Sequence, residues 1–71
     1  MKNISIENAI LDLLSRRGEL TVAFLTRLLN ERGIDCTSQK VEKVLRKLVE
    51  MGKVEVAYVN ANKRRHYRLV G

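Results

Sequence analysis

The 71-residue chain has no proline and no tryptophan, only one cysteine (Cys36) and one histidine (His66), and just two tyrosines and one phenylalanine. Each shortage excludes something. A lone cysteine cannot form an internal disulfide, which suits a reducing compartment such as the cytoplasm. One cysteine and one histidine cannot assemble a zinc site within the chain, so neither metal nor cofactor is expected. No apolar run approaches the ~20 residues of a membrane span, so no membrane partner is expected. The first residues carry one lysine and then an amphipathic stretch with Glu7 and Asp12, which does not read as a signal peptide. Catalytic patterns are missing too. There is no nucleotide-binding glycine loop, no serine or cysteine beside a base, and no carboxylate pair set in an apolar stretch. The chain reads as non-enzymatic.

What is present suits one small globular domain over residues 1–71. The chain is 45% hydrophobic and 31% charged, a balance that argues against disorder. Domains of this size bury only about 60% of their unfolded surface, so the core is thin and little chain is left to build a cleft. The net charge is +6, and its distribution is uneven. Residues 1–36 hold five basic and five acidic groups; residues 37–71 hold nine basic and three acidic, so the whole excess lies in the second half. That asymmetry fits a neutral scaffold followed by a polyanion-binding surface, and equally a merely soluble basic protein.

Periodicity and punctuation give the order of elements. Ser5 caps a helix whose Ile6, Ala9, Ile10, Leu13 and Leu14 form one apolar face, stopped by Arg16-Arg17-Gly18. Glu19-Leu20-Thr21 reads as a short extended link. Thr21 caps a second helix with Val22, Leu25, Leu28 and Leu29 inward and Phe24 at the edge, ending at Arg32-Gly33. The few residues before the next cap, Thr37, leave room only for a tight turn. A third helix runs from Ser38 to about Met51. Its core side is expected to hold Val41, Val44, Leu45, Leu48 and Met51, with Gln39, Lys43, Arg46 and Glu50 opposite. After Gly52 the period becomes 2. Residues 54–59 and 65–70 read as strands joined through Asn60-Ala61-Asn62-Lys63, a turn-forming segment.

This order resembles the winged helix-turn-helix family over nearly the whole chain, from Ser5 to Val70. The most specific stretch is Thr37 to Val54, where a capped Val-x-x-Val-Leu-x-x-Leu helix ends in Met-Gly-Lys-Val and feeds a hairpin. Arg65-His66-Tyr67-Arg68-Leu69 is similar to the returning strand of the wing. The resemblance implies an α+β fold of three helices with a C-terminal β-hairpin wing. It also implies double-stranded DNA as partner, with the third helix in the major groove. Carried onto this sequence, the DNA-binding candidates are Thr37, Ser38, Gln39, Lys40, Lys43, Arg46 and Lys47 on the helix. Lys63, Arg64, Arg65 and Arg68 are the candidates on the wing, and Thr21 is one at the start of the second helix.

Several of these residues also admit plainer roles. The stripe on the third helix reads as a solvated face with a Glu42–Arg46 pair at i, i+4, until its basic and turn-forming neighbours are counted. Lys63-Arg64-Arg65 fits phosphate or minor-groove contact, and also a charged guard against strand pairing between molecules. Tyr67 is expected to pack beneath the wing. Gln39 is the best base reader by chemistry, since its amide matches adenine N6 and N7. A sequence-specific transcriptional regulator is the leading reading, with no small-molecule effector evident. The alternative is a winged-helix module that docks on proteins in a larger complex; structured RNA fits less well, with so few aromatics to stack on bases. Pairing with a second copy is left open, with only Leu11 on the outer side of the first helix, and Ile4 before it, to suggest it.

Overall fold

The computed structural model describes residues 5–58 and 65–71. Their order is α1 (Ile6–Arg17), β1 (Glu19–Thr21), α2 (Val22–Glu31), α3 (Ser38–Glu50), β2 (Val54–Tyr58) and β3 (Arg65–Leu69). All three expected caps form. Ser5 Oγ accepts from the Asn8 N–H at 3.0 Å, Thr21 Oγ1 from Phe24 at 3.2 Å and Thr37 Oγ1 from Lys40 at 3.2 Å. Each cap satisfies one of the amides that a helix start leaves without a partner. Gly18 ends α1 at φ 89°, and its N–H donates to Leu14 O at 2.7 Å. A side chain would be strained in that conformation, and the reversal there feeds β1 directly.

The helices close around a single core. Ile10 and Leu14 of α1, Leu25 and Leu29 of α2, and Val41, Leu45 and Leu48 of α3 are all essentially inaccessible. β1, β3 and β2 lie in that order in an antiparallel sheet. Leu20 pairs with Tyr67, which pairs with Val56, while Val54 pairs with Leu69. Alternation puts these residues on one face, and Leu20, Tyr67 and Val54 close the core from below. The other face is polar. Arg68 sits between Glu19 and Glu55 and donates from Nε to Glu55 Oε2 at 2.6 Å. His66 Nδ1 lies 3.5 Å from Glu19 Oε1 on the same face.

Two details differ from the sequence reading. Met51, expected in the core, is half-exposed: it is the C-cap of α3, just past the last turn that could carry it inward. Leu11, expected on the outer side of α1, is half-buried and packs against the core; Ile4 lies outside the described residues. The short extended segment Glu19–Thr21 forms a strand as the sequence suggests, and its hydrogen-bonding partner is β3. Three residues carry no period from which such a pairing could be read.

Candidate nucleic-acid interface

Helix α3 is presented by what it buries. With Val41, Leu45 and Leu48 inward and Val44 and Val49 half-buried at the edges, the outward arc is set by geometry at 100° per residue. Gln39, Lys43 and Arg46 stand on it, all exposed. Ser38, Glu42 and Arg46, one turn apart from each other, line the flank toward β3; Lys40 and Lys47 lie along the opposite flank. The turn before α3 is held from behind, where the Cys36 N–H donates to Asn30 Oδ1 at 3.4 Å. That contact fixes how α3 leaves α2. Nothing in the sequence pattern announced it.

Two hollows border this helix. The larger, about 640 Å³, lies between the starts of α2 and α3 and strand β3; Thr21, Val22, Ala23, Ser38, Glu42, Arg46, Arg65 and Tyr67 surround it. The first-turn amides of α2 have no intrahelical partners, so that end of the cleft carries partial positive charge. Tyr67 forms the floor, as expected of a residue packed beneath the hairpin. The smaller hollow, about 440 Å³, is bordered by Thr37, Gln39, Lys40 and Lys43.

The cations divide into two sets. Arg16 pairs with Asp12, Arg27 with Glu31, Arg32 with Asp12, Lys47 with Glu7 and Arg68 with Glu55. Arg17 lies over the Phe24 ring, 5.8 Å from its centroid. Lys40, Lys43, Arg46, Lys53 and Arg65 have no ion-pair partner among the described residues; all but Lys53, which follows α3, belong to α3 or β3. Two of the expected contact residues are therefore already engaged. Lys47 Nζ reaches back to Glu7 on α1 at 3.9 Å, and Arg68 is held on the outer face of the sheet. The Glu42–Arg46 pair that the plainer reading of this stripe invoked does not form within 4.0 Å. Lys63 and Arg64 lie outside the described residues.

Two side chains away from α3 have shifted acidities. Hydrogen bonds from Arg16 and then Arg32 hold the Asp12 carboxyl below the usual aspartate range. Burial first, and the neighbouring Asp35 charge second, push the Cys36 thiol up. A raised thiol is a poor nucleophile, which suits a packing role in the turn.

Two solved structures share this fold. One is a MarR family transcriptional regulator from Silicibacter pomeroyi DSS, superimposing with a TM-score of 0.77 at 25% identity over 93% of this chain and 42% of that one. The other is the Helicobacter pylori ferric uptake regulator Fur, with a TM-score of 0.80 at 20% identity over 97% of this chain and 46% of that one. The chain is a winged helix-turn-helix domain. It spans less than half the length of either neighbour. No family model matches its sequence, and no curated protein does. In the winged-helix domain α2 and α3 form the helix-turn-helix, and β2 with β3 forms the wing. The Fur structure is described as having three functional metal-binding sites. Among the described residues of this domain, no three His, Cys, Asp or Glu side chains gather closely enough to hold a metal.

Proposed function

We propose that the winged-helix domain binds double-stranded DNA sequence-specifically and acts as a transcriptional regulator. In this reading α3 enters the major groove and the wing meets phosphates or the adjoining minor groove. The segregation of cations carries the reading. Arg16, Arg27 and Arg32 on the scaffold are neutralised by carboxylates and Arg17 lies over an aromatic ring, whereas Lys40, Lys43, Arg46 and Arg65 have no ion-pair partner among the described residues and surround one outward surface. Like charges held together stabilise nothing in the free protein, and a polyanion relieves their repulsion. Gln39 stands in the first turn of α3 with its amide exposed, suited to a bidentate pair with adenine. The α2 amides at Thr21 and Val22 suit a phosphate at the other side of the cleft. The solved neighbours, themselves regulators by description, support the same class of activity.

The test is a binding titration on a labelled duplex at several salt concentrations. Four described cations, with Lys63 and Arg64 added by sequence, predict a log K against log[salt] slope near −5. A flat response would remove duplex DNA as the partner.

A further inference from the structure

Glu42 is the one acid on the part of α3 that this reading places in the groove, and the proposed function gives it no role. It occupies the second turn, half-buried, in the 640 Å³ cleft with Arg46 and Arg65. Of the other two acids in the basic half of the chain, Glu55 is bound to Arg68 and Glu50 closes the far end of α3. Glu42 has neither excuse. Among the described residues it makes no ion pair, although Arg46 stands one turn further along the same flank. It therefore is not spent on holding that arginine in place. On a surface that meets phosphates, a carboxylate without a partner weakens every complex by repulsion, whatever the base sequence.

The cost is offset only by a donor met in the complex. Among major-groove edges, a carboxylate finds its match in the exocyclic amino group of cytosine, N4, which donates and brings no acceptor beside it at that position. The keto oxygens of guanine and thymine repel it. We infer that Glu42 is a specificity-determining residue that accepts a hydrogen bond from cytosine N4 in the target duplex, and excludes keto-bearing bases from that position. This rests on the DNA-binding reading and adds a base preference to it. The position read by Glu42 adjoins the one read by Gln39, since the two side chains are three residues apart on α3 and border its two hollows.

The experiment is selection of binding sites from a randomised duplex library with the parent protein, Glu42→Gln and Glu42→Ala, each first checked by thermal melting. The parent is expected to enrich cytosine at one position. Glu42→Gln should move that preference toward adenine, because an amide both donates and accepts. Glu42→Ala should flatten that position alone, lowering discrimination there by about tenfold, and should bind non-specific duplex more tightly than the parent. Identical base preferences for the parent and Glu42→Ala would overturn the inference while leaving DNA binding intact. So would a loss spread over several positions and reproduced by Arg46→Ala, which would make Glu42 a support for that arginine. If the parent enriches no sequence, the specific DNA-binding reading fails first and the inference falls with it.

Discussion

Arg32, the C-cap of α2, donates from Nη2 to Asp12 Oδ2 of α1 over 3.1 Å, joining two helices that the sequence separates by a strand. Arg16 donates to the same carboxylate from within α1. The folded carboxyl thus ionises more readily than the unfolded one. Its contribution to stability is present above the ordinary aspartate pKa and is lost as pH falls through the depressed folded value. Asp12→Asn should therefore lower the urea midpoint at neutral pH, and that loss should fade as pH drops through the depressed folded value. Because the cluster is exposed, added salt should shrink the difference. A loss that does not change with pH would assign Asp12 a role in packing.

The two faces of α3 should separate stability from binding. Leu45 and Leu48 are fully buried, so truncating either to alanine is expected to cost ~2–5 kcal/mol, a large share of what so small a domain has. Lys43→Ala and Arg46→Ala should melt within ~0.5 kcal/mol of the parent while weakening duplex binding. Thermal melts paired with a titration on one duplex decide it. Unfolding by Lys43→Ala would mean that the outward face of α3 has been misassigned.

Helix and wing should differ in what their loss does. Gln39→Ala is expected to cost ~1–3 kcal/mol on the specific site and little on random duplex. Lys63→Ala combined with Arg64→Ala should weaken both and make the salt slope shallower by about 2. Equal losses on both duplexes for both variants would show that Gln39 reads no base.

Cys36 should behave as a packed thiol. Its raised pKa and partial burial predict slow alkylation by iodoacetamide at neutral pH compared with glutathione, recovering in denaturant. Rapid labelling of the folded protein would contradict the direction of the shift.

Much of this fold was legible because its signals are local. Ser5, Thr21 and Thr37 are caps by chemistry, and the positions of Val41, Leu45 and Leu48 follow from the helical period. The outward side of α3 came from the same arithmetic. What escaped is tertiary. No pattern in the sequence says that Lys47 turns back to Glu7, that Arg68 pairs with Glu55, or that Asn30 holds the Cys36 amide. Each depends on where two separate elements come to rest. Met51 failed for a different reason. The period places a residue on a face only while the helix continues, and α3 ends one residue before it.

The strand order has a consequence for how the protein is made. β3 lies between β1 and β2, and it is synthesised after both. A nascent chain that has emerged only through Tyr58 carries two short strands with nothing between them. Leu20 then lacks the Tyr67 neighbour that flanks it in the finished sheet. Pairing of residues so distant in sequence is slow to form, because a long loop must close before the contact stabilises it. The three helices can gather early on local contacts, but the sheet beneath them waits for β3. Ribosome stalling anywhere before Arg65 should therefore leave a helical, protease-sensitive intermediate.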